Sequence, residues 1–307
     1  MIRDDDTSDR PERPRKQSKP KKSKWDIVAS LRASDDDETA AAQGFAAQVH
    51  VTNTERAWIG QHLLPFHRQC LIDDVLLRVK AGKEATVYLC SGHPDTGRAR
   101  LVAKLYRDRA TRGLHNASQY EQGRGLLAGE GQVLDPRAWR LHKAVAQKSR
   151  KGRSLTQGSW LLHEYSVLRA LHAAGADVPE PIDYNEQALL LEFIGEGNDP
   201  APILQDVTLD PTEAPALFAR VLLNVEQLLR LGWVHGDLSA YNILYQPGRI
   251  TLIDFPQVAS IQGHPGARAL LQRDVEKLVL YFGRFCATPD AAQLTHRLWG
   301  RCVERSG

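Results

Sequence analysis

Residues 233–245 read WVHGDLSAYNILY, and residues 248–255, a few positions later, read GRITLIDF. The first stretch sets Asp237 and Asn242 five residues apart in a polar segment hemmed by apolar residues; the second ends an apolar run on Asp254. A carboxylate and a carboxamide at that spacing, followed by an Asp at a strand end, can gather magnesium and polyphosphate. In phosphoryl transfer one Asp orients and deprotonates a hydroxyl, while an Asn and a second Asp hold the metal that neutralises the phosphates. Asp237, Asn242 and Asp254 fit those tasks, with His235 as scaffold. Taken alone, the stretch also suits a polar turn between a helix and a strand.

The segments upstream decide between these readings. DDVLLRVKAGKEATVYLCSG and ARLVAKLYRD read as strands joined by the turn residues SGHPDTG. Gly82 lies in the turn between the first two strands, where it lets backbone amides approach phosphate oxygens. Lys104 sits in an apolar strand, so its ammonium needs an anionic partner. SWLLHEYSVLRALHAAG spaces Leu161, Tyr165, Leu168 and Leu171 along one helix face ending at Gly175, and Glu164 on that helix can supply the partner. DVPEPIDYNEQALLLEFIG is a proline-punctuated loop running into an apolar strand. The next helix is predicted with Asp210 as cap, Pro211 first, Glu213 three after the cap, and a stop at Gly232. Glycine turn, strand Lys, helix Glu, HxDxxxxN and strand-end Asp, in that order, point to a kinase-like site.

Composition bounds the rest. The chain has 307 residues, 42% of them hydrophobic, and a formal charge of +3. That supports one large core or two small ones. Cys70, Cys90, Cys286 and Cys302 form no CxxC pair, which speaks for neither a zinc site nor a disulfide framework and fits a reducing compartment. No apolar run approaches the ~18 residues of a membrane helix, so no membrane contact is expected and the location is read as cytoplasmic. Residues 1–45 are charged and poor in apolar side chains, a composition that predicts a disordered tail.

The residues GKEATVY, VAKLY, EFIGEGNDPAP, WVHGDLSAYNILY and LIDFPQ resemble the RIO family of atypical serine/threonine protein kinases, and most of all its first-described subfamily, over roughly residues 70–285. The resemblance implies an α+β, reduced protein-kinase-like two-lobed fold, with a small β-rich N-lobe and a helical C-lobe. The expected organisation is the tail over 1–45, an N-terminal region and N-lobe over 46–190 with a long basic insert at 107–157, and the C-lobe over 191–307. The cofactors implied are ATP and Mg2+, or Mn2+ in its place. Lys104 would pair with Glu164 and the phosphates, Asp237 would be the catalytic Asp, and Asn242 and Asp254 would hold metal. Gly82, Lys83 and Glu84 would line the phosphates. Adenine would lie at a hinge of Glu192, Phe193 and Ile194, bordered by Leu191.

The sequence departs from ordinary protein kinases at several of these points. Only the middle glycine of GxGxxG is present, as Gly82, with Lys80 and Ala85 at the flanking positions. Gly236 stands where the catalytic loop usually has Arg, and Pro256 where DFG has Gly, which argues against activation through an Arg-bound phosphate. Three activities share this site. The first is an ATP-dependent serine/threonine kinase acting on itself or a protein partner. The second is an ATPase switch in ribosome or ribonucleoprotein assembly, with RNA contact through the basic tail and insert. The third is a small-molecule kinase, which the hinge and DLSxYN elements disfavour. Ser149 and Ser154, beside the basic run QKSRKGRS, are candidate autophosphorylation sites.

Overall fold

The computed structural model describes residues 45, 49–82, 84–107, 127–128, 132–133, 143, 147 and 150–304; the side chains of 127–128, 132–133, 150–157 and 304 are excepted. The tail expected over 1–45 lies outside the described residues except for Phe45, which is buried and packs on the His67 ring at 5.3 Å between centroids. Most of the 107–157 insert, Lys83, Ser149 and the side chain of Ser154 also lie outside them.

Five antiparallel strands form the sheet that carries Lys104. They are β1 (Ile72–Ala81), β2 (Ala85–Gly92), β3 (Arg100–Tyr106), β4 (Pro181–Tyr184) and β5 (Ala188–Glu192), in the order β1-β2-β3-β5-β4. The DVPEPIDY segment, expected as loop, therefore contains an edge strand. Pro181 is its first residue, a position where the missing N–H costs the ladder little.

Alternation along β3 sends its side chains to two different cores. Leu101, Ala103 and Leu105 join Ile59, Leu63 and Phe66 of helix α1 (Asn53–Arg68) on one face. Tyr106, on the opposite face with Lys104, clusters with Leu161 of helix α2 (Arg150–Ala173). Helix α1 starts at Thr52, whose hydroxyl accepts from the Glu55 amide at 3.2 Å. Glu55 in turn accepts from Arg78 of β1 and, at 2.7 Å, from the buried Tyr88 of β2, tying the helix to the sheet.

A third and larger core is helical. Val167, Leu168 and Leu171 of α2 pack with α3 (Ala214–Arg230), α4 (Ala267–Phe282) and α5 (Ala291–Trp299), together with Phe255 and the hairpin β6 (Ile243–Gln246) and β7 (Arg249–Leu252). Helix α3 begins later than its sequence suggests. Asp210 accepts from the Thr212 amide and hydroxyl, so Pro211–Glu213 form a turn, and Pro215 occupies the opening of the helix proper. The Asp–Pro signal is real, but it caps a preceding turn.

Candidate functional site

Lys104 lies where β3, α2 and the segment after β7 meet. Its Nζ donates to Glu164 Oε1 of α2 at 3.0 Å and to Asp254 Oδ1 at 2.6 Å. Burial alone would depress the ammonium, but the Asp254 and Glu164 carboxylates more than reverse this and hold it protonated. The packing around Asp254 opposes its ionisation, and Lys104 outweighs that too, keeping the carboxyl below its usual range. The Lys80 charge acts in the same direction.

Tyr106, two residues along β3 from Lys104, completes the pair. Its hydroxyl donates to Glu164 Oε2 at 2.5 Å, so both oxygens of the buried Glu164 are bonded, one by each β3 side chain. The Tyr106 ring meets Trp160 of α2 edge-on at 5.4 Å, and the Trp160 indole N–H donates to the Pro256 carbonyl at 3.0 Å. The helix bearing Glu164 is thereby fastened both to β3 and to the segment after Asp254. Tyr106 and Trp160 are not marked by any motif; the period-2 spacing of Lys104 and Tyr106 on one strand is the signal that places the hydroxyl beside the pair.

The hairpin β6–β7 brings Asn242 and Asp254 to one end. Ile243 pairs with Leu252, and the Ile253 amide donates to the Asn242 carbonyl at 2.9 Å. Asp254 then takes a left-handed conformation, φ 70°. Asp tolerates this better than most residues, at a cost of roughly 1–3 kcal/mol, and such strain clusters at functional sites. The turn sends Phe255 into the core and leaves the carboxylate at Lys104. The Asn242 Nδ2 donates to the Asp237 carbonyl at 2.8 Å, so the amide oxygen is turned away from that bond. A carboxylate and a carboxamide oxygen at one end of a hairpin are hard donors that fit magnesium.

The loop holding Asp237 is anchored from below. Asp274 of α4, 2% exposed, accepts from the amides of Gly236 and Leu238, each at 2.8 Å. Burial pushes its carboxyl up to about 7, against the pull of the two amides. Lys277, three residues further along α4, donates to Asp237 Oδ1 at 2.7 Å. Gly236 has φ +84°, and a Cβ there would stand 2.6 Å from the Gln257 carbonyl oxygen, so the approach of that backbone accounts for glycine in place of a longer residue. The His235 ring packs at a tilt on Phe255, 4.8 Å between centroids, and burial lowers its pKa to about 4, which leaves it a neutral scaffold group. The Ile253 backbone acts on it, though short of full hydrogen-bond geometry.

The remaining sequence-selected residues are placed less directly. The Gly82 amide closes its own turn on the Ala85 carbonyl at 2.9 Å, and a Cβ there would lie 3.1 Å from that oxygen. Glu84 engages the Arg107 amide through its carbonyl. In the segment expected as the hinge, the Glu192 amide bonds the Glu180 carbonyl and the Glu192 carboxylate accepts from the Glu180 amide, while the Ile194 carbonyl accepts from the Ala201 amide. Phe193 lies under Gly195, where a Cβ would meet its ring at 2.5 Å.

Comparison with known proteins fits this geometry. The family model described as RIO domain matches residues 137–294. The RIO-type serine/threonine-protein kinase Rio1 of Haloferax volcanii is 30% identical over 216 residues, covering 70% of this chain and 66% of that protein. Serine/threonine-protein kinase RIO1 of Chaetomium thermophilum is 29% identical, covering 70% of this chain and 40% of that protein. The chain thus spans less than two thirds of the length of these curated relatives. Among solved structures, the Rio2 kinase–ADP/Mg2+–phosphoaspartate complex from Chaetomium thermophilum superposes with a TM-score of 0.54 at 21% identity, covering 91% of this chain and 80% of that one, which supports the reduced kinase-like α+β fold. The family model spans more than half of the sequence and includes Glu164, Asp237, Asn242, Asp254 and Asp274, so the chain belongs to the RIO family.

Proposed function

We propose that the protein is an ATP- and Mg2+-dependent serine/threonine protein kinase of RIO type that phosphorylates itself or a protein partner. The observation that carries this reading is Lys104 held by Glu164 and Asp254 while Asp237 and Asn242 stand in the adjoining loop. Two relatives are serine/threonine-protein kinases by name, and the Rio2 structure was obtained with ADP and Mg2+.

Each side chain has a task in this reaction. Lys104, fixed by Glu164, orients the nucleotide phosphates. Asn242 and Asp254 would hold Mg2+, or Mn2+ in its place; that ion, when bound, neutralises the phosphate oxygens. Asp237 hydrogen-bonds the acceptor hydroxyl and takes its proton as the oxygen bonds to the γ-phosphorus and the bond to the departing ADP oxygen breaks. The turn of Gly82, Lys83 and Glu84 would cover the phosphates, and the hinge of Glu192, Phe193 and Ile194 would seat adenine. We place the lobe boundary at 190/191, the basic tail and the 107–157 insert as the surfaces for ribosomal or RNA contact, and the protein in the cytoplasm. Among the described residues no helix is long and apolar enough to cross a membrane.

The deciding experiment incubates the purified protein with labelled ATP and magnesium and counts free and protein-bound phosphate separately. Phosphate bound to protein through Ser or Thr supports the kinase reading. Release of free phosphate alone refutes it in favour of an ATPase.

A further inference from the structure

Helix α4 reaches the loop of Asp237 with two side chains of opposite charge. Asp274 grips the amides on either side of Asp237, and Lys277, on the same face at i+3, grips the Asp237 carboxylate itself. The first contact is buried and shapes the backbone. The second is open, with side chains 37% and 44% exposed, and an ion pair that open contributes little to folding. A lysine on such a surface has many rotamers available, yet its ammonium lies at 2.7 Å from one oxygen, Oδ1, of the proposed base.

We infer that Lys277 is a positioning residue for phosphoryl transfer. It clamps Oδ1 of Asp237 so that Oδ2 is presented to the acceptor hydroxyl, and its charge offsets the repulsion between that carboxylate and the arriving phosphates. Asp237 lies near a second carboxylate from α4, the buried Asp274, so without Lys277 the Asp237 charge would meet the phosphates with only the metal-side residues to balance it. The division of labour on α4 is then Asp274 for the backbone and Lys277 for the side chain. This inference rests on the kinase reading given above.

The test compares Lys277→Met and Lys277→Arg with the wild type in steady-state ATP turnover and protein phosphorylation, with thermal unfolding of each. Lys277→Met is expected to lower kcat roughly 10- to 100-fold, the scale of a misplaced reacting group, and to leave KM for ATP within about two-fold. Unfolding should be nearly unchanged, and Lys277→Arg should regain most of the rate. In an Asp237→Asn background Lys277→Met should add nothing, since the two act as one unit. The inference is overturned by a Lys277→Met enzyme of normal kcat, by an Arg variant as impaired as the Met variant, or by an equal loss in the Asp237→Asn background. A wild type that transfers phosphate to no acceptor refutes the kinase reading and this inference together, whereas an active wild type with an unimpaired Lys277→Met refutes this inference alone.

Discussion

Asp274 should make stability and activity respond to pH in opposite directions, and replacing it by Asn should remove both responses. In the folded protein the Asp274 carboxyl is buried and titrates at about 7, whereas unfolded it titrates at the ordinary value of 3.8. A raised acid binds its proton more tightly when folded, so the stability it contributes is complete below about 4 and is lost as pH rises to about 7. Linkage gives about 1.4 kcal/mol per pH unit, hence about 4 kcal/mol over that window. Activity follows the other form. Only the ionised carboxylate offers acceptors to both the Gly236 and Leu238 amides; the protonated group turns one oxygen into a donor and leaves one amide poorly bonded.

Asparagine cannot titrate, so subtracting the Asp274→Asn unfolding curves from the wild-type curves removes every other group from the comparison. Between pH 5 and 8 the wild type should lose stability relative to the variant by roughly 2–3 kcal/mol. Over the same range wild-type turnover should rise through an apparent pKa near 7, while the variant stays low throughout because its amide nitrogen faces a backbone N–H. Chemical denaturation with a common denaturant at each pH supplies the free energies, and initial rates supply the activities. A wild-type-minus-variant difference that is flat across this interval would refute the reasoning, since it would mean that burial does not oppose the charge on Asp274.

Three further outcomes follow from the site. Lys104→Met should lower stability by about 3–5 kcal/mol because it strands the buried Glu164 carboxylate, and Lys104→Met/Glu164→Gln should recover stability but not ATP turnover, as read by denaturation and kinetics in parallel. Asp237→Asn should keep Mg2+-dependent nucleotide affinity and lose turnover, while Asp254→Asn loses much of that affinity; titrations with and without magnesium compare them. Gly236→Ala should cost roughly 1–3 kcal/mol of stability, from its positive φ and the Gln257 carbonyl 2.6 Å from the new Cβ, and should reduce kcat more than KM, checked by unfolding and steady-state rates.

Much of this site is legible in the sequence because its parts lie on elements with strong periodic signals. Lys104 is polar in an apolar strand, and Glu164 shares a helix with the buried Leu161, Leu168 and Leu171, so each position advertises its need for the other. Asp237, Asn242 and Asp254 are close in sequence, and the hairpin between them does the rest. Asp274 and Lys277 are different. They sit on a helix whose Leu271, Val275, Leu278 and Phe282 give an ordinary amphipathic pattern, and nothing local tells a buried Asp on such a helix from an exposed one. Their partners lie 36 to 40 residues upstream, so only the tertiary arrangement brings the charges to the loop. Helix α1 is a different case: it lies before the first strand read from the sequence, DDVLLRVKAG, although Thr52 and Glu55 carry the signature of a helix start. The Asp210–Pro211 signal shows the converse error. Asx-turn chemistry and helix capping use the same residues, and propensity alone does not separate them.

The absence of an arginine beside Asp237 becomes intelligible from the packing around Gly236. In a loop with Arg at that position, an external phosphate can supply order by pairing with the guanidinium. Here the space a side chain would need is filled by the Gln257 carbonyl, and both neighbouring amides are already bonded by Asp274. The loop is ordered from the core side, by a carboxylate whose burial makes the arrangement costly to form and hard to rearrange once formed. Trp160 does the corresponding work at the other end, bonding the Pro256 carbonyl from the helix that carries Glu164. The segment from Asp254 to Gln257 is thus held at Lys104, at Trp160 and against Gly236 by groups of the fold itself. Gly236 offers no guanidinium through which an added phosphate could order this loop, and the pH response of Asp274 is the point at which the loop's order becomes measurable.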